Sequence, residues 1–245
     1  MKGNIYIIGL GPGKLGNMTT KAIETIKSCE VIAGYKVYIE QIRELIHNKK
    51  IICNGMGKEI LRCELAIEEA SQGKMVGLVC SGDAGPYGMA GLVLELINKK
   101  NAQNIEVEII PGITAAISCS SLLGAPIVED FCTISLSDYM TPYNKILKRI
   151  ELAAKGDFII AIYNPRSSKR QDYLSEAINI IRKEREDDTP VGIVRMAYRE
   201  DQSIIRTTIS NVEIENVDMF CTIIVGNKQT KWINNYMVTS RGYKI

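Results

Sequence analysis

Histidine is almost absent from this chain: His47 is the single one in 245 residues, and the seven cysteines (Cys29, Cys53, Cys63, Cys80, Cys119, Cys132 and Cys221) form no C-x-x-C pair. That removes the ligand spacing of zinc and iron–sulfur frameworks, so no metal is expected. His47 sits in the polar run Ile46-His47-Asn48-Lys49-Lys50 and reads as a solvated helix end rather than a catalytic base. Cysteines such as Cys80, which follows Val76-Gly77-Leu78-Val79, read as small core hydrophobes in a reducing compartment. No apolar run reaches 18 residues, and no leader-like apolar region follows Met1-Lys2-Gly3-Asn4, so a soluble, cytoplasmic protein without a membrane partner is expected. An excess of one charge is also missing. Lys plus Arg number 30 against 28 Asp plus Glu, which gives no global field for nucleic acid. With 46% hydrophobic and 24% charged residues, and no repeat or low-complexity tract, the chain is neither disordered nor fibrous.

What is present is alternation. Short apolar runs at residues 4–10, 31–33, 50–53, 75–80 and 105–110 read as strands, and segments of helical spacing at 19–29, 37–46, 58–72, 89–99 and 114–123 fall between or after them. Strand and helix in turn predict a mostly parallel sheet flanked by helices. The pattern pauses at Gly124-Ala125-Pro126, which places a boundary between an N-terminal α/β domain, 1–124, and a C-terminal one, 125–245. The second half reads as strands at 131–136, 158–162, 191–195, 203–208 and 221–225, with helices at 142–154 and 171–186. Its last three strands have little helix between them, so its sheet is expected to be mixed.

Three loops of the first half each follow a buried strand and precede a helix: Gly9-Leu10-Gly11-Pro12-Gly13, Gly82-Asp83-Ala84-Gly85-Pro86-Tyr87-Gly88 and Pro111-Gly112-Ile113-Thr114-Ala115. They therefore gather at the carboxyl edge of one sheet, where open α/β sheets bind ligands. Glycine lets backbone approach a ligand, and Asp83 offers an acceptor for a hydroxyl or a cation. The dinucleotide fingerprint is broken, because Lys14 stands where its third glycine belongs, and no G-x-x-x-x-G-K-[ST] loop occurs. The paired carboxylates Glu68-Glu69 and Asp187-Asp188 read as solvated surface. In the second half, Tyr163-Asn164-Pro165-Arg166-Ser167-Ser168-Lys169-Arg170 puts three cations into one turn. Such a turn either clamps carboxylates or phosphates or is an ordinary basic helix entry, and charge alone does not decide. Arg195, Arg199 and Arg206 are candidates to extend an anion-binding wall.

These motifs together resemble the class III S-adenosylmethionine-dependent methyltransferases, the tetrapyrrole methylase family. The run Gly82 to Ala90 is similar to the branch that methylates carbon 17 of a cobalamin precursor, as are Leu136-Ser137-Asp138-x-x-Thr141-Pro142, Tyr163-Asn164-Pro165-x-Ser167, Ile224-Val225-Gly226-Asn227-x-x-Thr230 and Thr239-Ser240-Arg241-Gly242-Tyr243. The resemblance implies two α/β domains of the tetrapyrrole methylase type, a homodimer, and S-adenosylmethionine bound in the cleft between the domains. It implies donor contacts at Leu10, Gly11, Pro12, Gly82, Asp83, Pro86, Thr114, Ala115, Tyr163, Met196 and Ala197. Ala84 stands where the family has proline, a minor loosening of that turn. The implied reaction is methylation of carbon 17 of cobalt-factor III or precorrin-3B, both carboxylated tetrapyrroles, with contraction of the macrocycle. Ser137, Asp138, Thr141, Arg166, Lys169 and Arg170 are the candidate substrate-binding residues; no catalytic acid or base is singled out. The alternatives are another position on the corrinoid macrocycle, a non-tetrapyrrole acceptor, a nucleotide-binding oxidoreductase, or a tetrapyrrole-binding protein without turnover.

Overall fold

A computed structural model describes residues 2–102, 104–167 and 170–244. The chain divides into two compact units, one ending at Thr114 and the other beginning at Ala115. In the first, strands β1 (Gly3–Gly9), β2 (Val31–Tyr35), β3 (Lys50–Asn54), β4 (Met75–Cys80) and β5 (Ile105–Ile110) form one sheet in the order β3-β2-β4-β1-β5. Every neighbouring pair is parallel. Parallel strands need crossovers, and the helices supply them: α1 (Thr20–Ser28), α2 (Lys36–Gln41), α3 (Glu59–Ser71) and α4 (Ala90–Lys99). Side chains alternate across the pleat, so Ile5, Ile7, Val76 and Leu78 bury against α3 and α4, while Ile8, Leu10 and Val79 bury against α1. Thr19 caps α1 by accepting the Ala22 amide at 3.1 Å.

The second unit opens with α5 (Ala115–Leu123) and a two-residue strand β6 (Gly124–Ala125). Its main sheet contains β7 (Phe131–Ser135), β8 (Ile159–Tyr163), β9 (Pro190–Arg195), β10 (Ser203–Thr208) and β11 (Cys221–Val225), in the order β10-β9-β11-β8-β7. Only β7 and β8 pair in parallel there, so the sheet is mixed as expected. Helices α6 (Tyr143–Lys155) and α7 (Tyr173–Arg182) cover one face. On the other face Ala116, Cys119 and Leu123 of α5 pack on Ile159, Ala161, Val194 and Ile224. That packing is why the division falls one helix before the pause at Gly124. A hairpin of β12 (Thr230–Ile233) and β13 (Tyr236–Thr239), turning at Asn234 with φ 55°, pairs with β6 to make a small third sheet that the sequence reading lacked.

Two other expectations shift for physical reasons. Helix α7 stops at Arg182 instead of running to 186, because Arg185 turns inward: its side chain is fully buried and donates to the carbonyls of Ala154 (2.8 Å), Phe158 (3.0 Å) and Gly226 (3.2 Å). Glu69 is buried rather than solvated, since Lys50 and Lys74 reach it at 2.7 and 2.6 Å and hold its carboxyl below its usual range. Most cysteines are buried, and burial pushes the thiols of Cys63 and Cys119 up to about 12, which leaves them protonated and inert at neutral pH. Cys53 on β3 is the exposed exception. Among the described residues no helix is long and apolar enough to cross a membrane.

Replacing Arg185 by Met removes a donor from the Ala154, Phe158 and Gly226 carbonyls and the ion-pair partner of Asp157, 3.1 Å away. Urea unfolding is expected to show a loss of about 3 kcal/mol. A loss below about 1 kcal/mol would show that the buried guanidinium does not organise this end of the unit.

Candidate functional site

The carboxyl edge of the first sheet is built almost wholly from backbone. Leu10 N–H donates to the Cys80 carbonyl at 2.9 Å, and Gly11 and Gly82 exchange N–H to O bonds, both 2.9 Å, across the two loops. A Cβ on Gly112 would lie 2.2 Å from the Gly82 oxygen, and one on Gly9 2.7 Å from the Gly112 nitrogen. No side chain fits at either position. Asp83 locks the third loop to the second: its Oδ1 accepts the Gly85 amide at 2.7 Å and its Oδ2 the Gly112 amide at 2.9 Å. The residue read as a ligand acceptor therefore also serves as a loop staple. Leu10 is wholly buried and contributes backbone at this edge; Pro12 is buried and Pro86 exposed in their turns, and Thr114 ends the third loop. Gly11 (φ 66°) and Gly82 (φ 67°) are both left-handed. The structure thus brings Leu10, Gly11, Pro12, Gly82 and Asp83 together.

In the second unit β7, β8 and β9 run in one direction, so their carboxyl ends share an edge. Tyr163 ends β8, and its hydroxyl accepts the Ala116 amide at 2.7 Å, capping α5. Ala115, Tyr163 and Ala197 pack on the same core cluster. Met196 (φ 48°), Tyr198 (φ 61°) and Asn164 (φ 50°) adopt left-handed backbone at the ends of β9 and β8. Non-glycine residues held this way concentrate at functional sites. Asn164, absent from the sequence-derived set, donates to Ser135 Oγ at 3.0 Å, which also accepts the Ser137 amide at 3.2 Å.

The loop after β7 carries Ser137, Asp138 and Thr141. Asp138 Oδ2 accepts the Tyr173 hydroxyl at 2.9 Å and its Oδ1 lies 3.9 Å from Arg170 Nε. Tyr173 stacks on Tyr143 with centroids 3.8 Å apart, and Tyr143 donates to Glu176 at 2.7 Å. Burial and the Glu176 hydrogen bond hold the Tyr143 phenol well above its usual range; the bond to Asp138 raises that of Tyr173. Arg166 donates to the Ile214 carbonyl at 2.9 Å, and Lys169 lies outside the described residues. Of the arginines read as extending an anion-binding wall, Arg195 pairs with Asp218 at 2.8 Å and Arg206 donates to the Asn235 carbonyl in the β12–β13 turn. His47 is exposed in a turn.

The family model for tetrapyrrole (corrin/porphyrin) methylases matches residues 4–213. The chain belongs to this family. Among curated relatives it is 46% identical, over 98% of its length and 100% of theirs, to a probable cobalt-factor III C(17)-methyltransferase of Salmonella typhimurium. It is 34% identical to a precorrin-3B C(17)-methyltransferase of Sinorhizobium, over 94% of this chain and 91% of that one. A cobalt-factor III methyltransferase of Priestia megaterium is 47% identical over the whole of this chain, which spans 46% of that longer protein. Among solved structures, the methyltransferase CobJ superposes with a TM-score of 0.93 at 31% identity, covering 97% of this chain and all of that one. A uroporphyrin-III C-methyltransferase of Thermus thermophilus, complexed with S-adenosylhomocysteine, has a TM-score of 0.70 at 19% identity over 91% of this chain and 92% of that one, and so shares the fold.

The staple and the cap are separable by mutation. For this methylase, Asp83→Ala is expected to lower the unfolding free energy by about 2 kcal/mol, and Tyr163→Phe by about 1 kcal/mol. Denaturant titration of both variants checks this. An Asp83→Ala protein as stable as wild type would mean that the two amide bonds do not hold the loops.

Proposed function

We propose that this chain transfers a methyl group from S-adenosylmethionine to carbon 17 of cobalt-factor III, with contraction of the macrocycle, in cobalamin biosynthesis. The observation that carries this reading is the 46% identity to the Salmonella relative over the full length of both chains. Cobalt-factor III is favoured over metal-free precorrin-3B because the relatives named for the cobalt substrate are 40 to 47% identical and the precorrin-3B relative is 34% identical.

The residues fit such a donor. Left-handed glycines at the first sheet's carboxyl edge carry no side chain there, so a donor molecule can lie close against the backbone of these loops. When bound, S-adenosylmethionine supplies a methyl group on a cationic sulfur and departs as S-adenosylhomocysteine. Leu10, Gly11, Pro12, Gly82, Asp83, Pro86 and Thr114 of the first unit, with Ala115, Tyr163, Met196 and Ala197 of the second, are the proposed donor residues. Asp83 and Tyr163 act here mainly by fixing loop backbone, through Gly85 and Gly112 and through Ala116. The loops carrying Ser137, Asp138, Thr141 and residues 166–170 are the proposed substrate side. Methyl transfer to an electron-rich carbon needs alignment more than a strong base, which suits an edge built from rigid backbone. We also propose that the enzyme is a cytoplasmic homodimer, for which sedimentation equilibrium is expected to give twice the chain mass.

Anaerobic incubation with S-adenosylmethionine and cobalt-factor III is expected to yield one added methyl by mass spectrometry, with equimolar S-adenosylhomocysteine. S-adenosylhomocysteine is expected to raise the melting temperature and NAD to leave it unchanged. Protection by NAD alone would overturn the reading in favour of a nucleotide-dependent oxidoreductase.

A further inference from the structure

We propose that Arg170 grips a rim carboxylate of the tetrapyrrole and that Asp138 and Tyr173 position it to do so, a role that rests on the tetrapyrrole reading above. Arg166 and Arg170 belong to the same basic turn, and the structure gives them different work. Arg166 is tied to the Ile214 carbonyl and fastens its loop to the chain. The Arg170 side chain donates through Nε to Ser167 Oγ at 3.1 Å, while its NH1 is buried with no hydrogen-bond partner among the described residues.

A buried, unpaired guanidinium nitrogen is costly, and it is kept where a ligand supplies the missing acceptor. Asp138 does not supply it. Its Oδ1 stands 3.9 Å from Nε and its Oδ2 is engaged by Tyr173, so it orients the guanidinium without saturating it. Tyr173 is itself fixed by the stack on Tyr143 and the Tyr143 bond to Glu176, which holds Asp138 in place beside the cation. The side chain keeps 16% exposure, and NH1 breaks no hydrogen bond when the guanidinium turns toward an arriving carboxylate. The residues following Asp138, Tyr139 and Met140, are 79% and 86% exposed. A fork-shaped cation next to a bare apolar loop tip matches a flat apolar ring with carboxylates on its rim.

The test titrates cobalt-factor III, and the same compound with its carboxylates as methyl esters, into wild type, Arg170→Gln, Arg170→Lys and Tyr173→Phe. Arg170→Gln is expected to weaken binding of the free acid roughly 10- to 100-fold, and Arg170→Lys less. Tyr173→Phe, which keeps the ring stack, is expected to weaken it about threefold. Esterification weakens wild-type binding, and Arg170→Gln adds no further loss with the ester, a coupling that a merely structural residue does not show. Unchanged S-adenosylhomocysteine affinity reports that each variant is folded. If Arg170→Gln binds the free acid as wild type does, or loses equally for acid and ester, the assignment to Arg170 is overturned. Failure of wild type to bind either compound overturns the tetrapyrrole reading itself.

Discussion

Backbone touching backbone is the constraint on which the first unit depends. At the carboxyl ends of β1, β4 and β5 three loops approach so closely that the chain at Gly9 and Gly112 has no room for a Cβ, each running into the backbone of the other and of Gly82. The reciprocal bonds of Gly11 and Gly82, and the two amides held by Asp83, convert that approach into a fixed surface. The parallel sheet makes it possible, because parallel strands deliver all their following loops to one edge. The core beneath, with Ile5, Ile7 and Leu78 on one side and Ile8 and Leu10 on the other, sets the strand register and so the height at which each loop emerges.

The second unit solves a different problem with different means. Its strand ends carry side-chain chemistry on non-glycine residues held in left-handed backbone, at Asn164, Met196 and Tyr198. Each such conformation costs of order 1–3 kcal/mol and persists because neighbours over-determine it. Ser135 takes the Asn164 amide group, Gln202 the Tyr198 N–H and the Phe220 carbonyl the Met196 N–H. One unit thus presents closely packed loop backbone at its edge and the other presents side chains.

Much of this was legible in the sequence. Short runs such as Met75–Cys80 and Ile105–Ile110 had strand as their natural reading, and the glycine loops that follow them could only lie at one edge. What the sequence hid were partnerships between distant residues. Asp83 looked like a ligand acceptor because nothing local reveals that Gly112 will donate to it. Arg185 stood in a run of charges within the expected helix 171–186, with no local sign that its side chain is buried. Helix α5 is rich in small side chains and weakly amphipathic, so its sequence does not say which sheet it covers; the contact with Ile159 and Ile224 decides it. The β12–β13 hairpin did carry a signal, Asn234-Asn235 between alternating segments, and went unread because the strands are only four residues each. Arg170 and Asp138 were legible as residues of a basic turn and a family-like loop; Tyr173, the first residue of α7, was not singled out, and the convergence of the three was not legible.

The central claim is that the first unit's carboxyl edge is rigid before any ligand arrives. Amide hydrogen exchange in the ligand-free protein tests it most directly. The account predicts that the amides of Leu10, Gly11, Gly82 and Gly112 exchange as slowly as those within β1 and β4. Exchange at the rate of an open loop, slowing only when S-adenosylhomocysteine is added, would contradict a preformed edge and make the ligand the agent that builds it.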